Sequence, residues 1–352
     1  MSPIIKNSGF KNNPQEEKNI DVALWLRFLK EQKIRKLFES IPDPRQQSKV
    51  QYPLSSLLMW ALSVPAFRQV SKNEFQTTLE NLSPDEKGGF TELLGCRGGE
   101  IPHSTTVDHA LSMIDYEKIN EILLKQVDRL LEKKFFYNHQ ELLPGNTFCI
   151  GADGYCVHKY DHPHCTDKEG NNCCPYCLPR TQHKGTEKEK THWIHVFATF
   201  TLITDAFTIP IYIYPLKAQQ VNIEQTDKKL KQECELLGTR IVLPKIRKKY
   251  PGLNMTFLGD ALYANKPFIQ LCKELKMDYI IVLKDNLKTV TKKCDELANH
   301  PLYQNSYSFK TEEESASWFN GVAVDANVET HVLKYKERAS KGYSGQMKKI
   351  SA

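Results

Sequence analysis

Two short stretches decide how this sequence folds: "NTFCIGADGY" at 146–155 and "NMTFLGDALY" at 254–263. Each is a brief apolar run that closes on an aspartate followed by a small residue, Asp153 before Gly154 and Asp260 before Ala261. Runs of this length and composition read as buried strands. An acid at the end of a buried strand is held rigidly at the edge of a sheet. Two such acids on adjacent strands can hold divalent cations between them, as two-metal phosphoryl transfer requires. Oxygen ligands of this kind suit Mg²⁺. The plainer reading of each aspartate is a turn or cap residue.

Around these runs the chain changes character at about residue 145. Before it, residues 21–40, 52–70, 101–115 and 115–134 carry helical signals: an Asp21 cap, Ser and Thr at the opening of 101–115, and Ile119, Ile122, Leu123, Val127, Leu130 and Leu131 on one face. After it, 192–204, 207–216 and 278–284 read as strands, and 222–239 and 265–276 as helices, the last with Asn265 as cap and Pro267 in its first turn. Strands followed by alternating helices and strands give a mixed α/β sheet. Beyond residue 300 the apolar periodicity fades, and one or two edge strands are expected.

The 352 residues suffice for two or three domains, and their 40% hydrophobic and 26% charged content is that of a globular chain. No apolar run approaches a membrane span and the first residues have no signal-peptide core, so a cytoplasmic protein is expected. The net charge of +6 is mild. Basic residues cluster, however, at "KKLK" (228–231) and "KIRKKY" (245–250), where Lys245, Arg247, Lys248 and Lys249 are candidates for a phosphate backbone.

In a reducing compartment the ten cysteines point to metal ligation or burial rather than disulfides. Cys174 and Cys177 form a C-x₂-C pair. With Cys165 and a histidine, His183 being the one downstream, they would complete a tetrahedral Zn²⁺ site. The alternative is an insert of reduced, unligated loop cysteines. His192 and His195 lie three apart, which on a strand gives no joint ligand role. Cys96, Cys149, Cys234, Cys272 and Cys294 sit in apolar settings and are expected to be buried.

These motifs resemble insertion-sequence transposases of the DDE type. "IPDPR…YPLSSLLMWAL" is similar to their N-terminal helical region and "IPHSTTVDHALSMID" to the segment before their catalytic domain. "GADGYCVHK" and "TFLGDALYANKPF" resemble the strands bearing their two aspartates, and "KQECE" (231–235) a motif on the helix between them. The likeness spans roughly residues 40 to 290. It implies an RNase H-like catalytic core preceded by an all-helical N-terminal domain, Mg²⁺ or Mn²⁺ held by Asp153 and Asp260, and cleavage and joining of double-stranded DNA at transposon ends by a homodimer. It divides the chain into a polar tail 1–20, a helical DNA-binding domain 21–140, a catalytic domain 145–300 with a Cys/His-rich insert 158–190, and a divergent tail 301–352.

The family's third acid is a glutamate on a later helix, within a Tyr-Arg-Glu-Lys pattern. Tyr335, Arg338 and Lys349 have its spacing, but the glutamate position is Gly342. The expectation is a chain that stops or changes frame before that helix. Glu235 is a further candidate, since such a core can carry an acid on the helix between its strands. Two other classes therefore stay open: an end-binding remnant that does not cut, and a structural zinc protein with interaction function only.

Overall fold

A computed structural model describes residues 33–96, 100–163, 166–167, 169–183, 185–218, 227–283, 288–298, 306–310, 314–325, 328–337 and 347–351. The chain divides into two units, Met1–Ile122 and Leu123–Ala352.

In the first unit the described elements are the helices α1 (Ile34–Phe38), α2 (Leu54–Ala66), α3 (Lys72–Glu80), α4 (Pro84–Leu94) and α5 (Ser104–Ser112), and the start of α6 (Tyr116–Glu132). Local sequence sets their ends. Ser71 accepts the Glu74 N–H to open α3, and Ser83 with Glu86 forms a capping box on α4. Gly95 closes α4 at φ 71°, a left-handed conformation that glycine adopts without strain. α5 is capped by the His103 ring, which accepts the Thr105 N–H, so Ser104 falls in the first turn rather than at the cap. Trp60, Phe75 and Phe90 form the centre of this core, with ring centroids 5.1 Å and 5.8 Å apart in edge-on geometry. The helix expected at 21–40 lies outside the described residues up to residue 32.

The described strands of the second unit form a ten-stranded mixed sheet. After the short helix α7 (Phe135–Asn138) come β1 (Phe148–Tyr160), β2 (Leu178–Gln182), β3 (Lys190–Ile203) and β4 (Thr208–Pro215). The helix α8 (Asp227–Lys249) leads to β5 (Met255–Gly259), α9 (Lys266–Glu274), β6 (Asp278–Leu283) and α10 (Lys288–Ala298). Four further strands follow: β7 (Ser306–Lys310), β8 (Glu314–Asp325), β9 (Val328–Glu337) and β10 (Met347–Ser351). β1 pairs antiparallel with β3, which carries β2 and β4; on its other side β1 runs parallel to β5, and β5 parallel to β6.

β3 alternates strictly, with His192, Ile194, Val196, Ala198, Phe200 and Leu202 buried. α8 packs on that face. A Cβ added at Gly238 would come within 3.1 Å of both the Ala198 Cβ and the Tyr214 ring, so glycine lets the helix approach the sheet. α8 is longer than the segment expected at 222–239 and runs on through "KIRKK"; its Pro244 lies inside the helix.

The tail departs most from expectation. Instead of one or two edge strands its described residues hold four, and β10 lies inside the sheet, hydrogen-bonded to β6 on one side and β9 on the other. Tyr335 and Lys349 lie on strands, not on a helix, while Arg338 and Gly342 lie outside the described residues. No helix among the described residues is long and apolar enough to cross a membrane.

Candidate active site

The β1–β5 ladder ends at Gly151 opposite Leu258. Asp153 and Asp260 each lie two residues further on, at the same level past the ladder. Asp260 follows the end of β5 as expected, but Asp153 does not close its strand: β1 runs on to Tyr160, because β3 continues to pair with it, Asp153 opposite Thr199. Both aspartates are exposed. In open α/β sheets ligands bind beyond the carboxyl ends of the parallel strands.

Each acid is held from its own backbone. The Thr199 hydroxyl on β3 donates to the Asp153 carbonyl at 3.1 Å, fixing the strand beneath the side chain. Asp260 accepts the Leu262 N–H at 2.8 Å through Oδ1 and caps the 3₁₀ turn Ala261–Tyr263. It is therefore a cap residue too, with Oδ2 still available. The preceding glycines answer to crowding. A Cβ at Gly151 would lie 2.8 Å from Ile203 Cδ1, and one at Gly259 would lie 2.9 Å from the Tyr263 ring.

Tyr263 is fully buried below the aspartates and packs against Phe257 and Phe268, with centroids 4.8 Å and 4.9 Å away. Burial pushes its hydroxyl above the ordinary tyrosine range, and the negative charges of Glu235, Asp260 and Asp153 push it further. The Thr239 hydroxyl lies 3.2 Å away and pulls in the opposite direction. Tyr263 thus feels all three carboxylates, a relation that no spacing in the chain encodes. Glu235 sits on α8 at 6% exposure, between helix and sheet, unlike the two exposed aspartates.

Three of the four basic candidates are engaged within the fold. The Arg247 guanidinium donates to the Leu253 carbonyl at 2.7 Å and the Lys276 carbonyl at 2.9 Å. Lys249 pairs with Asp128 at 2.8 Å. Lys245 donates to the Tyr212 hydroxyl at 2.9 Å. Lys248 is exposed and has no side-chain partner among the described residues.

In the insert, Cys174 and Cys177 lie beside His195 of β3. His183 is exposed at φ 53° in the turn after β2 and is not part of this cluster. Cys165 lies outside the described residues. Of the cysteines expected to be buried, Cys149, Cys234, Cys272 and Cys294 are buried and Cys96 is half-buried.

No protein-family model and no curated protein matches the chain. Among solved structures, weak likenesses occur to a piggyBac transposase synaptic complex with hairpin DNA and to a pre-cleavage Mos1 transpososome. The first has 12% identity over 94% of this chain and 60% of that chain, with a TM-score of 0.32. The second has 12% identity over 77% of this chain and 78% of that one, with a TM-score of 0.20. The chain spans 60% of the length of the piggyBac protein. Overlaps this weak do not establish a common fold.

Proposed function

We propose that this chain is a DDE-type transposase that cleaves and joins double-stranded DNA at transposon ends. The observation that carries this reading is the common level of Asp153 and Asp260 beyond the β1–β5 ladder. An antiparallel trio β4–β3–β1 continued by parallel β5 and β6, with helices α8 and α9 in the crossovers, fits an RNase H-like core.

The donor set fits a hard divalent cation. Both side chains offer carboxylate oxygens at an exposed strand edge, and Asp260 keeps one oxygen beyond its cap bond. Asp153 and Asp260 would hold Mg²⁺ or Mn²⁺, whose charge, when bound, activates an attacking oxygen and stabilises a leaving one. The protein's part is positional. Thr199 fixes Asp153, the Leu262 N–H fixes Asp260, and a protonated Tyr263 supports the layer below. In the first step a water oxygen bonds to phosphorus as the 3′-oxygen of the scissile bond leaves. In the second, that 3′-hydroxyl attacks a target phosphodiester, forming one P–O bond and breaking another. Lys248 contacts the phosphate backbone, the helical unit reads the transposon end, and the working form is a homodimer on DNA.

A second reading rests on the tail. Tyr335 and Lys349 lie on strands, where the family pattern calls for a glutamate-bearing helix. A chain with two acids would bind transposon ends without cutting them.

The test is Mg²⁺-dependent nicking of a duplex carrying the terminal repeats of the source element. Nicking that disappears in Asp153→Ala supports the transposase. Salt-dependent binding without nicking establishes the second reading. Neither binding nor nicking overturns both.

A further inference from the structure

The Cys/His insert has almost no core of its own. Of its described residues between 161 and 176, His162, Asp167, Glu169, Asn171 and Asn172 are exposed, and none is buried. Local bonds shape it instead: Asp167 accepts the Asn171 N–H at 2.8 Å, and Thr166 bridges to Asn172. Such a segment lacks the apolar burial that would hold it in place. At its end, however, three soft ligands converge.

Cys174 and Cys177 flank a tight turn in which the Cys177 N–H reaches the Cys174 carbonyl at 3.4 Å. Asn172 Oδ1 takes the Cys174 N–H at 3.1 Å, and the Pro175 carbonyl takes the Ala218 N–H at 2.9 Å, tying this knuckle to the chain after β4. The β2–β3 ladder then sets the third ligand. Leu178 pairs with Ile194, so the next residues outward, Cys177 and His195, face each other across the strands. Cys177 Sγ lies 3.0 Å and Cys174 Sγ 3.7 Å from His195 Nε2, and the three ligand atoms lie within 4.8 Å of one another. Tetrahedral zinc with Zn–S of about 2.3 Å and Zn–N of about 2.0–2.1 Å needs S···N separations of about 3.6 Å. One contact already has that length, and the other needs to open by about half an ångström. Cys177 is fully buried, which a thiolate tolerates when it is ligated.

We propose that Cys174, Cys177 and His195 bind a structural Zn²⁺ that clamps the insert to β3. The two thiols lose their protons on binding and His195 coordinates through Nε2 as the neutral ring, so loading releases two protons. The fourth position is taken by water or by another side chain of the insert. The clamp's consequence is local: His195 pairs with Val157 on β1, the strand that carries Asp153. The site does not rest on the transposase reading, because its ligands and its readout are separate from DNA cleavage.

The test is zinc content per chain after expression in zinc-supplemented medium and gel filtration. The full chain is expected to carry about one equivalent. His195→Gln and Cys177→Ser are expected to fall to about a tenth of that, while Cys173→Ser, at an exposed neighbouring thiol, retains it. Cobalt loading of the wild-type chain is expected to give thiolate-to-metal charge transfer and the intense visible bands of a tetrahedral site. This reading needs no variant to fold. A wild-type chain without metal, whether its thiols are free or oxidised to a disulfide, overturns the proposal. So does a folded His195→Gln chain that keeps a full equivalent with an unchanged cobalt spectrum.

Discussion

Asp153 and Asp260 stand two residues beyond a single rung of the sheet, the pairing of Gly151 with Leu258. Parallel pairing keeps the two strands in register, so Asp153 within β1 and Asp260 just after β5 reach the same level without a loop to bring them together. Asp153→Ala or Asp260→Ala should lower Mg²⁺-dependent nicking by at least about 10³-fold, since metal charge stabilisation is worth several kcal/mol. End binding, followed by gel shift, should change little. Equal nicking by wild type and both variants would remove these residues from the chemistry.

The basic cluster should separate into structural and binding residues. Arg247→Ala takes charged donors from the Leu253 and Lys276 carbonyls and should cost about 1.5–3 kcal/mol, seen as a lower denaturant midpoint. Lys248→Ala should leave that midpoint unchanged. It should instead weaken DNA binding and reduce the slope of log K against log salt by roughly one. An unchanged salt slope would mean that Lys248 touches no phosphate.

Alkaline pH should unfold the second unit through its buried tyrosines. The Tyr250 hydroxyl donates to Asp128 at 2.7 Å; burial first, then this bond and the negative charge of Asp128, raise its titration above the ordinary value near 10. A phenol whose folded value is raised adds stability that is fully present below pH ~10 and is lost as pH climbs through the folded value. Tyr250→Phe should therefore be less stable at neutral pH, by about 1–2 kcal/mol, and less sensitive to pH above ~10. Thermal unfolding between pH 8 and pH 11 checks it. Parallel curves for the two chains would show that Tyr250 is not the group responsible.

Thiol labelling should follow burial. Cys156 and Cys173 are exposed and should react at once with a disulfide reagent. Burial pushes Cys234 and Cys272 up to about 12, the charges of Glu235 and Cys156 adding to the effect at Cys234. Both should react only after unfolding, because the thiolate is the nucleophile. Mass-spectrometric detection of early labelling at Cys272 would contradict this packing.

What the sequence disclosed depended on whether the signal was local. The end of β5 before Asp260 and the Asn265 cap were legible because an apolar run and the residue that ends it are neighbours in the chain. The length of β1 was not, since its continuation past Asp153 to Tyr160 depends on pairing with β3. Nor was His195, since it meets Cys177 through a strand pairing that spacing does not encode, whereas His183 is merely near the pair along the loop. Arg247 read as a free cation because its carbonyl partners, Leu253 and Lys276, are defined by the turns after α8 and α9. The tail strands were missed for a related reason. Their burial rests on few residues, Phe319, Val322 and Val332 among those described, and their order in the sheet is non-local.

The place of β10 has a consequence for how the chain leaves the ribosome. β6 finds its second neighbour only in a strand whose Lys348 lies 65 residues after its partner Leu283. During that stretch of synthesis β6 is an open edge, the kind of surface through which nascent chains capture one another. Nascent chains stalled before β10 emerges should therefore be stickier than those stalled after it has paired with β6. Yield in a cell would then depend as much on the pace of translation as on the strength of the finished sheet.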